Sequence, residues 1–188
     1  MPVIIISSDS YLTGREIAES VAGALGYGFL GREILSEVAE KYGISEAKLT
    51  KALDDGPSFL LRSSKLRDRY LAYLQEATLS RLLEDNMVCQ GLAAHLYVLG
   101  VSHVLRVRIL ADAERQAKQL AAQQGVSINK AKKLLDRRKT VNRRWSMDAF
   151  HLDESDPSHY DLVISLSQID SEEAVKIIKE TAGYPRFK

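Results

Sequence analysis

The feature that most constrains the fold is an apolar run of mostly β-branched residues near the start of the chain. Residues 3–6 read VIII and contain no polar side chain. Such a run favours a strand buried on both faces, and strands of this kind belong to parallel sheets covered by helices on both sides. The run is followed by SSDSYLTGRE and then by a helical pattern. We therefore expect a parallel α/β sheet whose first strand leads into a helix.

Four further strand-like segments alternate with helical patterns along the chain. They read YGFL, MVCQG, HVLRVRILA and YDLVISL, at residues 27–30, 87–91, 103–111 and 160–166. Alternating strands and helices indicate right-handed crossovers. The sequence thus predicts a three-layer α/β/α fold with a five-stranded parallel sheet, in which ligands bind at the carboxyl ends of the strands.

The helices are predicted from apolar periodicity and from capping residues. The first follows Gly14 and closes at Gly26, and the others cover residues 32–43, 45–55, 58–85, 92–100, 112–124 and 127–145. Asp170 or Ser171 is expected to cap a last helix. Gly56 and Pro57 are expected to break the chain before the long fourth helix. The tail YPRFK is expected to be loose.

Composition restricts the class of function. The chain has 188 residues, which suits one domain, and a formal net charge of +1, which gives no global attraction to nucleic acid or an anionic membrane. Its single cysteine, Cys89, lies in an apolar run and is expected to be a buried, inert thiol. No apolar run approaches about 20 residues and no basic leader precedes residues 3–6, so we expect a cytoplasmic protein without a membrane span. A homodimer is left open.

The segment after the first strand lies where many α/β proteins bind phosphate. The phosphate-loop pattern is G-x-x-x-x-G-K-[ST], and Gly14 stands at the position of its second glycine. Asp9 replaces the first glycine, Arg15 the lysine and Glu16 the hydroxyl residue, and Asp9 would repel a phosphate. From this segment alone, a phosphate loop and a plain strand-to-helix turn are equally supported.

Clustered arginines form a second candidate site. Arg137, Arg138, Arg143 and Arg144 lie within eight residues, beside several lysines. A guanidinium group binds two phosphate oxygens at once, so this segment suits a polyphosphate. A helix face exposed to solvent would show the same cluster of charges. Arg32, which opens a helix, is a candidate for holding an acceptor phosphate. Gly91, at the end of the third strand, would allow close approach of backbone or ligand. No histidine spacing predicts a metal site.

These segments together resemble the cytidylate kinase-like branch of the nucleoside monophosphate kinases. That branch reads roughly I-S-R-x-x-G-S-G-G-R-E-I-A after its first strand, and here ISSDSYLTGREIA stands at residues 6–18. GREIL…YGISE, DDGPSFL, NMVCQGLAAHLYVLG, KTVNRRW and DPSHYDLVIS resemble later blocks of the family. The resemblance covers nearly the whole chain, and it makes Arg15 and Glu16 family traits.

The resemblance implies a P-loop kinase fold, with a core at residues 1–30, 86–126 and 158–183, an acceptor-binding insert at 31–85 and a lid at 127–157. It implies transfer of the ATP γ-phosphoryl group to a nucleoside monophosphate such as CMP, with Mg²⁺. The donor phosphates would lie against Ser10, Tyr11, Leu12, Thr13, Gly14, Arg15 and Glu16. Arg32 and Gly91 would meet the acceptor, and Arg15, Arg137, Arg138, Arg143 and Arg144 would act in catalysis.

Departures from the family pattern leave two hypotheses open. Tyr11, Leu12 and Thr13 replace the small residues of the loop, and Leu92 and Gly31 replace an arginine and an aspartate that would meet the ligand. The first hypothesis is a phosphotransferase acting on a nucleotide or a related small molecule. The second is a non-catalytic relative that binds a nucleotide, another anion or a protein in a regulatory role. Binding of nucleic acid by the basic stretch is a distant third.

Overall fold

A computed structural model describes residues 2–54 and 64–187. Its strands form one parallel sheet in the order β2-β3-β1-β4-β5. The strands are β1 (Val3–Ser8), β2 (Gly28–Leu30), β3 (Met87–Gln90), β4 (Val104–Leu110) and β5 (Leu162–Ser165). The helices are α1 (Tyr11–Leu25), α2 (Ile34–Tyr42), α3 (Glu46–Asp54), α4 (Ser64–Leu82), α5 (Ala94–Tyr97), α6 (Ala113–Gln124), α7 (Ile128–Phe150) and α8 (Ser171–Ala182). The predicted α/β class and all five strands are confirmed.

Strand β1 is the central strand and is buried on both faces. Val3 and Ile5 pack into the core that α2, α4 and α5 cover, whereas Ile4 and Ile6 pack into the core beneath α1 and α8. This alternation follows from the two-residue period of a strand. One short apolar run therefore joins the two hydrophobic layers of the molecule.

Helix α1 begins earlier than expected. Its first residue is Tyr11, so Gly14 lies inside the first turn and not before it. The Ser10 side chain caps the helix, because its oxygen accepts hydrogen bonds from the Thr13 backbone N–H at 3.4 Å and from the Thr13 hydroxyl at 3.1 Å. Only two residues, Asp9 and Ser10, separate strand from helix.

Gly14 allows α1 to lie against the end of β1. A Cβ atom added at Gly14 would come within 2.6 Å of the Ser8 Cβ and 3.3 Å of the Gln90 amide nitrogen. No side chain fits between helix and strand at this point, so the glycine is required by close packing.

Other boundaries differ from prediction where residues adopt left-handed backbone. Helix α4 ends at Leu82, because Asp85 and Asn86 have φ values of 57° and 51° and turn the chain into β3. The segment predicted as a helix from residue 92 begins only at Ala94. The residues at 55–63, with the expected break at Gly56 and Pro57 and the start of the long helix, lie outside the described residues.

The prediction that the C-terminal tail is loose is wrong for residues 185–187. Residues Pro185–Phe187 form a 3₁₀ turn, and Phe187 is buried at 3% exposure in the same core as Ile4 and Ile6. An aromatic ring that finishes a core in this way is not visible from local sequence.

The helices α2–α4 and the helices α6–α7 pack as two separate groups. Helices α2, α3 and α4 contact one another on one face of the sheet, and α6 packs against α7 through Ala117, Ala121 and Ala131. The division into core, acceptor-binding insert and lid stays a prediction. None of the helices in the described part of the chain is long and apolar enough to cross a membrane.

An ion pair joins β4 to the residue that precedes β5, at one edge of the sheet. Arg106 donates its Nε and Nη2 protons to the two carboxylate oxygens of Asp161 at 3.0 and 3.1 Å, and its backbone N–H donates to the same carboxylate at 3.0 Å. Burial opposes the charge of the carboxylate, but the hydrogen bonds from Arg106 outweigh burial and hold the pKa of Asp161 below its usual range.

Replacing Gly14 by alanine should destabilise the protein. We expect Gly14→Ala to lower the free energy of unfolding by about 1–2 kcal/mol, because the overpacked Cβ outweighs the gain in helix propensity. Gly23→Ala is the matched control: it lies in the same helix with no atom within 4 Å of the added Cβ, and should stabilise by about 0.5–1 kcal/mol. Urea unfolding of both variants measures the difference, and equal stabilisation would contradict the packing argument.

Replacing Asp161 by asparagine should cost about 2 kcal/mol at neutral pH, since hydrogen bonds to a charged group are lost. The pKa of Asp161 is lowered by folding, so this contribution is complete above about pH 4 and disappears as pH falls through the folded-state pKa. Thermal unfolding from pH 7 to pH 2 should show the two proteins converging. Asp148→Asn, which removes an exposed pair with Arg144 at 3.9 Å, should change stability by less than about 0.5 kcal/mol.

Candidate functional site

A cavity of about 770 Å³ opens where three neighbouring strands end. The last residues of β1, β3 and β4, which are Ser8, Gln90 and Leu110, all line it. The carboxyl edge of a parallel sheet is the expected place for a ligand, and the sequence predicted this edge.

The cavity wall is predominantly basic. Its charged side chains are the five cations Arg32, Arg108, Arg138, Lys139 and Arg143 and the two carboxylates Asp9 and Glu154. An excess of positive charge in a cleft attracts anions. The lining therefore suits a phosphorylated ligand.

The Asp9 carboxylate does not stand as an uncompensated negative charge. Arg108 donates to it at 2.6 Å, and both side chains are about one-tenth exposed. Lys139, from α7, approaches the second carboxylate oxygen at 3.6 Å. The repulsion of phosphate expected from Asp9 is thus largely cancelled by two cations, one on β4 and one on α7.

Arg108 also connects the sheet to the segment after α7. Its Nη1 donates to the Tyr160 hydroxyl at 3.2 Å and to the Glu154 carbonyl at 3.3 Å, and Tyr160 donates to the same carbonyl at 2.7 Å. Burial raises the pKa of the Glu154 carboxyl, against the opposing charge of Arg108 and with support from the charges of Asp9 and Asp153. Asp9, Arg108, Tyr160 and Glu154 form one connected polar network.

The N-terminus of α1 faces this network with Tyr11 and Leu12, which both line the cavity. The first backbone N–H groups of a helix have no acceptor inside the helix, and a helix N-terminus favours anions. In this chain, however, residues 11–16 are helical and do not form an open loop. Thr13, Gly14 and Glu16 are not among the described residues that line the cavity.

Arg15 makes its contacts outside the cavity. Its guanidinium donates to Glu19 at 2.8 Å and to the Tyr11 hydroxyl at 3.2 Å, and lies 3.5 Å from Glu33. It also lies over the Phe29 ring, 5.3 Å from its centre. The described cavity lining does not include Arg15.

The four arginines of α7 divide between two faces of the helix. Arg138 and Arg143 line the cavity together with Leu135, Lys139 and Asn142, which share one helical face. Arg143 also pairs with Asp153 at 2.7 Å. All four arginines are exposed, but Arg137 and Arg144 do not belong to the described lining.

Arg32 and Gly91 both lie at the cavity. Arg32 is stacked over the Tyr11 ring, with its guanidinium carbon 4.8 Å from the ring centre. Gly91 has a φ of 75°, and a Cβ placed there would meet no described atom within 4 Å. The left-handed backbone explains the glycine, and no described protein atom makes the close approach that the sequence suggested. Close approach of a ligand stays a prediction.

Residues Leu92 and Ala93 continue this left-handed turn, with φ values of 58° and 56°. Each non-glycine residue in this region costs roughly 1–2 kcal/mol. Strain of this kind is found where a ligand site constrains the backbone, and this turn lies on the cavity wall.

Sequence reasoning missed the buried polar residues of the cavity. Gln90 and His95 are 3% and 2% exposed. Burial lowers the pKa of His95 to about 3, with smaller contributions from Arg108 and His159. His95 stacks on Tyr160 at a ring distance of 5.0 Å. A polar residue inside an otherwise apolar strand or helix, as in MVCQG and LAAHLYVLG, was the available signal.

Trp145 closes the α7 side of the cavity. It lines the cavity at 6% exposure, and its ring meets Phe150 edge-on at 5.3 Å. Phe150 in turn contacts Tyr97 of α5 at 5.6 Å. These rings anchor the end of α7 to the body of the protein. The expected burial of Cys89 is confirmed, and burial raises the pKa of its thiol to about 12.

The residues of the cavity are compatible with Mg²⁺ bound together with phosphate. No group of three or more His, Cys, Asp or Glu side chains that could hold a metal ion occurs among the described residues. Mg²⁺ bound to nucleotides needs only one or two carboxylates in addition to phosphate oxygens and water. Asp9 and Glu154 are the carboxylates on the cavity wall.

Similarity to known proteins agrees with this architecture. A cytidylate kinase from Methanopyrus kandleri is 24% identical over 155 residues, which are 78% of this chain and 75% of that protein. An uncharacterized protein from Eubacterium ventriosum has a similar structure, with a TM-score of 0.68 at 17% identity over 97% of this chain and 98% of that one. For shikimate kinase from Bacteroides thetaiotaomicron the TM-score is 0.59 at 11% identity, over 97% and 99%.

These structural likenesses show a P-loop kinase fold, as the sequence predicted. Residues 3–168 match the cytidylate kinase-like family as a whole. The matched segment runs from β1 through β5 and contains every residue that lines the cavity. The chain belongs to the cytidylate kinase-like family.

Proposed function

We propose that this protein is an ATP-dependent phosphotransferase acting on a nucleoside monophosphate or a related small molecule. The observation that carries the proposal is the basic cavity at the carboxyl ends of β1, β3 and β4, to which α1, α7 and the turn after β3 all contribute. Phosphoryl transfer depends mainly on positioning and on neutralising charge, and a cavity lined by arginines supplies both.

The donor phosphates would bind between α1 and α7 in this proposal. The free amides at the start of α1, beside Tyr11 and Leu12, would meet one phosphate, and the Ser10 cap supports this role by holding the end of the helix. Arg138 and Arg143 lie on the cavity-facing side of α7 and would neutralise the transferred group. We propose that these two arginines, more than Arg137 and Arg144, act on the ligand.

The acceptor would lie nearer to Arg32 and the turn at Gly91. Arg32 is held by its stacking on Tyr11, and it reaches the same cavity as Gly91. Glu154 would hold Mg²⁺ together with phosphate oxygens, since Asp9 is already engaged by Arg108. Bound Mg²⁺ would supply neutralisation of phosphate charge. Residues 127–157 would act as the lid. The Lys139–Asp9 pair would tether this lid to the end of β1, and the Arg143–Asp153 pair would brace it internally.

The second candidate is a non-catalytic protein that binds an anion. The helical winding of residues 11–16 favours it, because a helix leaves only its first amides free, and these cannot surround a polyphosphate as an open loop does. A coupled kinase assay with Mg²⁺·ATP and a panel of nucleoside monophosphates separates the candidates. Turnover on any acceptor supports the kinase, and ATP binding by calorimetry without turnover on the panel supports the second candidate.

Removing the cavity-facing arginines should weaken the protein's interaction with ATP. We expect Arg138→Ala and Arg143→Ala each to lower kcat/KM, or the ATP affinity if there is no turnover, by about tenfold or more, since each deletes a charged contact worth about 1.5–3 kcal/mol. Arg137→Ala and Arg144→Ala are the matched controls on the same helix and should stay within about twofold. Equal losses in all four variants would instead indicate a general effect of charge.

Neutralising Asp9 should strengthen anion binding while weakening the fold. In Asp9→Asn, Arg108 loses its 2.6 Å partner and its charge becomes available to a ligand. We expect the affinity for inorganic phosphate and for ATP measured without Mg²⁺ to rise about fivefold, with a loss of about 2–3 kcal/mol in stability from the broken buried pair. Calorimetry and thermal unfolding test both effects. Weaker anion binding would show that Asp9 itself organises the site.

A further inference from the structure

Half of the buried side-chain polar atoms that lack a hydrogen-bond partner in the described part of the chain belong to residues of the cavity wall. Gln90 Oε1, both ring nitrogens of His95 and Gln116 Nε2 are buried and bond to no other described residue, and all three residues line the cavity. Each such atom costs about 1–3 kcal/mol when it stays unsatisfied. Buried polar groups are nearly always paired with protein, water or ligand, so these atoms indicate a site made to be filled.

Gln90 and His95 form an uncharged part of the lining. His95, with a pKa lowered to about 3, is neutral at physiological pH and offers one donor and one acceptor. Gln90 adds an acceptor, because its Oε1 is the amide atom without a partner. Arg108, whose charge acts on His95, is paired with Asp9 at 2.6 Å. This part of the cavity can therefore bind a neutral polar group, whereas a phosphate would require uncompensated positive charge.

Both side chains are held in place by packing. Gln90 is the last residue of β3, and its amide nitrogen lies against Gly14, 3.3 Å from the position that a Cβ atom would take there. His95 lies in α5, stacked on Tyr160. The left-handed turn at Gly91, Leu92 and Ala93 fixes the short path between them. Groups fixed in this way lose little entropy on binding and can discriminate between ligands.

We propose that Gln90 and His95 bind an uncharged donor–acceptor group of the acceptor molecule, while its phosphate binds to the arginines. The amide edge of a nucleobase and a hydroxyl of the sugar share this chemistry. The inference rests on the proposed function in taking this cavity as the place of the acceptor. It assigns the discrimination between acceptors to two neutral residues of the β3–α5 segment.

The test uses apolar replacements of similar size, Gln90→Leu and His95→Phe, with CMP, ribose 5-phosphate and inorganic phosphate as probes in calorimetry. We expect the CMP affinity to fall about tenfold in each variant, with inorganic phosphate bound as in the wild type. The melting temperature should not fall, since an unsatisfied polar atom has been removed. A parallel loss for ribose 5-phosphate identifies the sugar hydroxyl, and an unchanged ribose 5-phosphate affinity identifies the base edge.

Two control variants remove buried hydroxyls that also lack a partner but lie away from the cavity, Tyr97→Phe and Thr78→Val. They should leave all three affinities unchanged. The two test variants are independent, so failure of His95→Phe to fold leaves Gln90→Leu as the test.

The inference would be overturned if Gln90→Leu and His95→Phe bound CMP as tightly as the wild type. It would also be overturned if their affinity for inorganic phosphate fell as much as their affinity for CMP. A wild-type protein that binds neither CMP nor ribose 5-phosphate would overturn it as well, even if it phosphorylated another acceptor. Conversely, a protein without kinase activity whose CMP affinity falls in both variants would end the proposed function and leave this inference standing.

Discussion

The burial of β1 on both faces is the constraint on which the rest of the structure depends. Alternate residues of one strand belong to two different hydrophobic cores, so the strand cannot slip by one residue without exchanging them. Its register with β3 and β4 then fixes the relative positions of the last residues of the three strands, Ser8, Gln90 and Leu110. Because Gly14 lets α1 lie directly on the end of β1, the same constraint also sets the position of the helix N-terminus at the cavity.

Much of the fold could be predicted because its signals are local. The β-branched run, the alternation of strands with amphipathic helices, and caps such as Ser127 and Asp170 each act within a few residues, and the structure confirms them. The misplaced boundaries have non-local or backbone causes. Ser10 starts α1 before the glycine that family resemblance places in a loop, and Phe187 finds its core only after the chain has folded.

The candidate site could be predicted in part for the same reason. Clustered arginines and glycines near strand ends are visible in sequence, and Arg32, Gly91, Arg138 and Arg143 do meet at one cavity. The ion pair that neutralises Asp9 at the cavity is not visible in the sequence, because Asp9 and Arg108 are 99 residues apart. Nor does sequence show which face of α7 turns inward. Gln90 and His95 become conspicuous only when their polar atoms are found buried and without partners.

Trp145 has a consequence for how this molecule is observed. It is the one tryptophan in the sequence, and it lies buried on the cavity wall between the arginine-bearing face of α7 and the rings of Phe150 and Tyr97. Indole emission from this protein therefore originates at a single place, at the junction of α7 with the sheet edge. Occupancy of the cavity and movement of α7 both alter the surroundings of that indole, so the chain carries its own optical reporter of the site.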